Sequence, residues 1–150
     1  MGSAATIPSG HAEWSTREPH EEPTVTRVAV IGAGTMGRGI AYVAAIAGCD
    51  VTITDSRTND LPREMAQILG MLGIGVARGK LSDADAKAAV ARLHVEPDLA
   101  DAVRAADVVI EAVIEDLGVK QRLFADIERS SPAQALLASN TSSLSIAQIA

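Results

Sequence analysis

The spacing of apolar positions changes repeatedly along the chain, and each change marks an element. Val28-Ala29-Val30-Ile31 is a continuous apolar run bounded by turn glycines, the pattern of a strand buried on both faces of a parallel sheet. The glycine-rich stretch Gly32 to Gly39 follows, then an Ala-rich segment, Ile40 to Ala47, that predicts a helix closed by Gly48. Val51-Thr52-Ile53-Thr54 is β-branched throughout and stops at Asp55. Asn59 to Val76 is helix-forming, and Gly70, Gly73 and Gly75 predict that this helix is bent or broken. Ser82 with Asp85 forms a variant capping box that opens a helix to about Leu93. A short strand over His94 to Glu96 ends at Pro97, and a brief helix spans Asp98 to Ala105. Asp107 to Glu111 reads as another buried strand. Leu117 to Arg129 carries Leu123, Phe124 and Ile127 on one helical face. Leu136 to Ala138 makes a fifth strand, and Asn140 to Ser143 begins a further helix. The alternation predicts an α/β fold, a Rossmann-like, doubly wound, mostly parallel sheet of about five strands in three layers, with no solenoid repeat.

Composition narrows the candidate functions. The 150 residues fit one domain of ordinary size, and 47% hydrophobic against 21% charged residues is a globular balance. Trp14, Tyr42 and Phe124 are the only aromatics, so the core is aliphatic and there is no platform for stacking a single-stranded nucleic acid. The formal charge of −6 repels polyanions, which excludes nucleic acid as a natural partner. Cys49, the single cysteine, excludes an internal disulfide and a thiolate cluster and fits a reducing compartment. Residues 1–26 are rich in Pro, Gly, Ser and Glu and read as a disordered acidic extension without the apolar core of a secretory signal. His11 and His20 lie in it without further ligands, so no metal site is expected. No apolar run reaches membrane-spanning length. The reading is a cytoplasmic protein with no membrane partner.

The chemistry concentrates where strand meets glycine. Gly32-Ala33-Gly34-Thr35-Met36-Gly37 has the spacing of a dinucleotide site: a glycine for the tight turn, one for approach of a pyrophosphate, and one for close packing of helix on strand. Asp55 ends the next strand 18 residues after Gly37, where a carboxylate accepts from the adenosine ribose hydroxyls and repels a 2′-phosphate. This favours NAD over NADP. Arg57 is compatible with pairing to such a phosphate, with stacking on adenine, or with a solvent-facing charge.

The run Val30 to Ala41 closely resembles the N-terminal domain of the 3-hydroxyacyl-CoA dehydrogenase family. Arg78-Gly79-Lys80-Leu81-Ser82, Asp107 to Glu115, and Ala138-Ser139-Asn140-Thr141-Ser142-Ser143-Leu144 agree with it in order and spacing. The resemblance covers residues 27–150 as an NAD-binding domain. It implies that Ala112 and Glu115 contact the nicotinamide half of NAD, that Lys120 and Asn140 are further cofactor contacts, and that Ser142 is catalytic, meeting the substrate's 3-oxygen. It also implies that Arg78 and Lys80 lie near the coenzyme A phosphates. From the residues alone, Ser142 equally suits a helix N-cap, and Arg78 and Lys80 equally suit a solvated loop. The resemblance implies an acyl-CoA or related acyl thioester substrate and a homodimer for the intact enzyme. The family's general base, a histidine within Gly-Leu-His-Phe-Phe-Asn-Pro, and the helical C-terminal domain are absent from these 150 residues; His94 matches neither. The 150 residues alone are therefore expected to be inactive. A non-catalytic NAD-responsive module, and a dehydrogenase acting on carrier-protein thioesters in secondary metabolism, remain open as alternatives.

Overall fold

The structure, a computed structural model, describes residues 25–149. The expected extension, with His11 and His20, lies outside the described residues as far as position 24. Thr26 does not belong to it: its N–H and its hydroxyl both donate to Asp107 Oδ2 at 3.0 Å, so the ordered framework already includes this residue.

Five parallel strands form one sheet: β1 Arg27–Ile31, β2 Asp50–Thr54, β3 Leu93–Val95, β4 Val108–Glu111 and β5 Leu136–Ser139, in the order β3-β2-β1-β4-β5. The register pairs Val28 with Val51 on one side and with Val108 on the other, placing β1 at the centre. Central position explains why Val28 to Ile31 carry no polar residue: both faces are covered. Val28 and Val30 face a core shared with Val51, Ile53, Ala41, Leu61, Ile68 and Leu72, whereas Ala29 and Ile31 face a second core with Val103, Val109 and Ile127. Two cores on opposite faces are the three-layer, doubly wound arrangement, and the strand order reverses on either side of β1.

The α-helices among the described residues are α1 Thr35–Ile46, α2 Leu61–Ala77, α3 Asp83–Ala91, α4 Leu99–Val103, α5 Leu117–Ser130 and α6 Ile146–Ile149. Ser82 caps α3 as its spacing predicts, accepting from the Asp85 N–H at 3.0 Å. Gly48, with φ of +98°, follows α1 in the left-handed conformation of a closing glycine.

Three expectations need correction. First, α1 begins at Thr35, not Ile40, so Gly37 and Gly39 are helical. Gly37 is glycine because of packing: a Cβ there would stand 1.8 Å from the Gly32 carbonyl oxygen. Gly37, Ala41 and Ala45 form a buried stripe at i, i+4, i+8 that lets α1 lie close on the sheet. Second, α2 is one helix of 17 residues despite its three glycines. Leu61, Glu64, Ile68, Leu72 and Gly75 are buried at helical spacing, and burying them outweighs the propensity cost of about 1 kcal/mol per glycine. Gly75 sits where a Cβ would come 3.2 Å from the Tyr42 hydroxyl, so a small residue is needed. Third, Asn140 to Ser143 form an irregular turn, and the helix starts only at Ile146. The hydroxyls of Thr141 and Ser143 in this turn donate to Glu115.

Gly37→Ala should destabilise the domain by about 3 kcal/mol, the upper end of overpacking costs, because the clashing atom is backbone and cannot rotate away. A lower urea midpoint at unchanged m-value in equilibrium unfolding is the expected result.

Candidate functional site

The carboxyl ends of β1, β2 and β4 converge through backbone contacts. The Gly32 N–H donates to the Thr54 carbonyl at 2.8 Å, and the Ala112 N–H donates to the Ile31 carbonyl at 2.8 Å. Gly32 has φ of +104°, and a Cβ on it would meet the Ala112 carbonyl oxygen at 2.6 Å. The turn after β1 therefore passes through a gap open only to glycine. Gly34 differs from both other motif glycines, since a Cβ there would meet nothing within 4 Å. It lines a cleft of about 800 Å³ that also borders Gly32, Asp55, Arg57, Ala112 and Val113. Gly34 is also the N-cap of α1 and supplies no side-chain acceptor, so the first-turn N–H groups of this 12-residue helix remain for an external anion. Open space at Gly34 beside a helix N-terminus fits a pyrophosphate.

Asp55 stands at the far rim of that opening, its side chain about 10% exposed. It accepts from the Ala33 N–H at 2.8 Å, the Arg57 N–H at 2.9 Å and Arg57 Nε at 3.4 Å. Burial pushes its carboxyl up, but the Arg57 and Ala33 N–H donors and the Arg57 guanidinium outweigh burial and hold it below the ordinary carboxylate value. The carboxylate is thus ionised at neutral pH, with lone pairs left for ribose hydroxyls. Arg57, left open by its sequence position, leans on two acids, Asp55 and Asp60, the latter at 3.8 Å.

The opposite wall is built by the segment after β4. Glu111, which ends that strand, and Lys120, one turn into α5, are wholly buried, with Lys120 Nζ 2.9 and 2.8 Å from the two Glu111 oxygens. Glu111 also accepts from the Val113 N–H at 2.6 Å and from the Ser139 hydroxyl. Lys120 reaches Glu115 at 3.1 Å, and Glu115 in turn accepts from the hydroxyls of Thr141 and Ser143. Burial pushes the Lys120 ammonium down, but the two carboxylates outweigh it and hold it above its ordinary value. The Thr141 hydroxyl and then Lys120 pull the Glu115 carboxyl from an ordinary 4.5 down to about 2.

The structure thus brings Gly32, Gly34, Asp55 and Ala112 together around the cleft, while Ala33 supports Asp55 and Thr35 and Met36 are exposed on the first turn of α1. Asn140 is exposed and its N–H is held by the Glu111 carbonyl at 2.7 Å; Ser142 is exposed in the turn that Glu115 grips at Thr141 and Ser143. Lys120 points at carboxylates, not at the cleft. Arg78 and Lys80 are exposed on the turn between α2 and α3, and neither borders the cleft. All 17 residues of α2, about 25 Å of helix, separate them from the Asp55 rim. His94 is exposed on edge strand β3, in a shallow depression with Arg27 and Asp50 at the amino ends of β1 and β2. Among the described residues no group of three or more potential metal ligands occurs, and no helix is long and apolar enough to cross a membrane.

The residues that sequence reasoning missed are Glu111, Ser139, Thr141 and Ser143. Glu111 did carry a signal: a lone acid closing an apolar run, Val108-Val109-Ile110-Glu111, must find a cation when the strand is buried. The hydroxyl partners carried none.

The fold and the cleft together define a Rossmann-type dinucleotide-binding domain. The profile of the 3-hydroxyacyl-CoA dehydrogenase NAD binding domain matches residues 27–150, and the chain belongs to that family, with NAD as the cofactor of the domain. It is 46% identical over 126 residues to 3-hydroxyadipyl-CoA dehydrogenase of Escherichia coli, covering 84% of this chain and 26% of that protein. It is 39% identical over 127 residues to a 3-hydroxybutyryl-CoA dehydrogenase of Mycobacterium tuberculosis, covering 84% of this chain and 44% of the relative. The crystal structure of 3-hydroxybutyryl-CoA dehydrogenase from Escherichia coli superposes with a TM-score of 0.80 at 44% identity, over 84% of this chain and 26% of that one. The chain thus spans from about a quarter to under half of the length of these relatives.

The low Glu115 value has a thermodynamic consequence. A carboxyl whose folded value lies below its unfolded one adds stability above the unfolded value, and loses it as pH falls through the folded one. The difference in melting temperature between the wild type and Glu115→Gln should therefore be full above about pH 5 and shrink towards zero near pH 2. Thermal unfolding across that range is the check; a constant difference would rule out the Lys120 and Thr141 contacts as its source.

Proposed function

We propose that this chain is the NAD half-site of a dehydrogenase that interconverts 3-hydroxyacyl and 3-oxoacyl thioesters, with coenzyme A as the thiol carrier. The single observation that carries the reading is that two segments follow the carboxyl ends of one parallel sheet: the open glycine turn with Asp55 after β1 and β2, and the Asn140–Ser143 turn after β5, bound to Glu115 from the segment after β4. Ligands of open α/β sheets bind at the carboxyl ends of the strands where the order reverses, which is where both segments stand. The names of the relatives, all hydroxyacyl-CoA dehydrogenases, support the substrate class.

When bound, NAD supplies the hydride acceptor. The chain's own residues do the rest of what this half can do. Asp55 selects the ribose with a free 2′-hydroxyl, since an ionised carboxylate repels a phosphate there. Ser142, an exposed neutral donor, hydrogen-bonds the substrate's 3-oxygen, orienting the alcohol in oxidation and stabilising oxyanion character in reduction. Asn140 and Glu115 flank the nicotinamide half. Arg78 and Lys80, exposed on the turn between α2 and α3, meet the distal phosphates of the thioester. The hydroxyl proton must leave to a general base. None of the three histidines of the sequence falls in the family's motif, and His94 lies away from the cleft, so turnover by these 150 residues is negligible. The intact enzyme is a cytoplasmic homodimer in this reading.

Fluorescence titration should show NADH binding, with NADPH at least tenfold weaker. Asp55→Ala should weaken NADH by about 10- to 100-fold, the equivalent of about 1.5–3 kcal/mol for hydrogen bonds to a charged acceptor, while narrowing the preference over NADPH. A folded chain that ignores NADH would end the proposal, and brisk reduction of acetoacetyl-CoA by these 150 residues would show that a base has been overlooked.

A further inference from the structure

Among the described residues three charged side chains are buried, Glu64, Glu111 and Lys120, and the last two face each other. Glu64 stands in an otherwise uncharged stripe, since Leu61, Ile68, Leu72 and Gly75 are the other buried residues of α2. A carboxylate kept from water needs donors. Two arginines supply them. Arg63, its neighbour in sequence, donates to Oε1 from Nε at 3.1 Å and from Nη2 at 2.6 Å, but 62% of the Arg63 side chain is exposed. Arg38, one turn into α1, donates to Oε2 from Nη1, and only 18% of its side chain is exposed.

The Arg38 guanidinium also reaches the turn that a nucleotide must approach. Nη1 donates to the Ala33 carbonyl at 3.4 Å, and Nη2 donates to the Thr35 hydroxyl at 3.5 Å. Both bonds are long, and their value lies in converging from one planar group that the buried acid holds still. Ala33 is wholly buried, and its N–H is taken by Asp55 at 2.8 Å. Ala33 is thus held at its N–H by the acid after β2 and at its carbonyl by an arginine anchored on α2. Neither Arg38 nor Glu64 borders the cleft. We infer that Arg38 is a positioning residue for the cofactor: Glu64 fixes its guanidinium, which holds Ala33 and Thr35 on either side of Gly34 and so keeps the α1 N-terminus aimed into the cleft. Arg57 and Arg63 continue the alternation of charge back to Asp55 through Asp60, at 3.8 and 3.5 Å, but exposed pairs of long side chains hold little. Of these pairs, Arg38 with Glu64 is the one with both side chains mostly out of water. The inference rests on the reading of the glycine turn as the cofactor half-site, and its test separates the two.

Three variants decide it, each titrated with NADH well below its melting temperature. Arg38→Ala leaves Glu64 paired with Arg63, whereas Glu64→Met removes the anchor and lets Arg38 swing to solvent. Each should weaken NADH by about five- to tenfold, and the double variant by no more than the larger single effect, because both changes cut one path. The sign of the Glu64→Met effect discriminates. An arginine that served NAD by its charge alone would bind the anionic ligand more tightly once a nearby carboxylate was gone, whereas a positioned arginine loses its aim and binding weakens. Tighter or unchanged NADH binding in Glu64→Met overturns the assignment, as do additive losses in the double variant. A lower melting temperature in Arg38→Ala with wild-type affinity also overturns it, being the mark of a merely structural tie. Should Glu64→Met not fold, the double variant, which leaves no unpaired charge between α1 and α2, takes its place, and wild-type affinity there overturns the assignment. A wild type that ignores NADH removes the proposed function and this assignment together; a wild type that binds, beside variants that bind equally well, removes the assignment alone.

Discussion

The close backbone approach between the first turn of α1 and the turn after β1 sets the terms for everything around it. Gly37 leaves no room for even one methyl against the Gly32 carbonyl, and Gly32 leaves none against Ala112. With those two distances closed, α1 starts directly above the end of the central strand. Its uncapped N-terminus then opens on the cleft, and Gly34, between the two crowded glycines, is left with empty space in front of it. Crowding at two positions thereby produces the vacancy at the third. Had any of the three been needed only for turn flexibility, the spacing between them would matter less than it does.

Electrostatics at the rim follow from the same convergence. The ends of β2 and β4 each carry a carboxylate, Asp55 and Glu111, and an acid at a strand end next to a helix N-terminus would ordinarily be an anion site already filled. Here each is given other donors. Asp55 takes backbone N–H groups from both turns beside it, and so remains a hydrogen-bond acceptor without blocking the α1 N-terminus. Glu111 is turned inward to Lys120 and Ser139. An acidic chain thus keeps the α1 end of the cleft free of an uncompensated negative charge while retaining one at the Asp55 rim.

How much of this could be read in the sequence depends on whether a residue's reason is local. The strand positions were legible because burial on two faces writes a continuous apolar run, and the Ser82 cap because its partner is three residues away. The start of α1 was misjudged because glycine was weighed as a helix breaker, whereas at Gly37 its role is to admit a neighbouring backbone; propensity is a weak prior when packing decides. Gly70 and Gly73 were misjudged in the same sense for a different reason: both are exposed on α2, and the stripe from Leu61 to Gly75 holds the helix regardless. At the site, Gly32, Gly34 and Asp55 were legible through spacing. Thr141 and Ser143 were not legible, because the acceptor that claims them is 26 and 28 residues away in sequence and adjacent only in the fold.

The buried Glu111–Lys120 pair is the feature least explained by stability. Withdrawing two charges from water costs several kcal/mol per ion, their attraction does little more than offset that, and well-packed apolar residues in the same volume are often as stable or more so. A pair of this kind is therefore better understood by what its geometry enforces. Apolar side chains could fill the space between β4 and α5, but they would tolerate small shifts in the register of one against the other. An ammonium with three carboxylate oxygens within 3.1 Å does not, since any shift leaves a buried charge short of a partner. The precision is needed at Glu115, which stands just before the α5 N-cap Asp116 and meets two hydroxyls on a turn with little structure of its own. Directional bonding in the interior thus defines a position at the exterior, at the turn from Thr141 to Leu144.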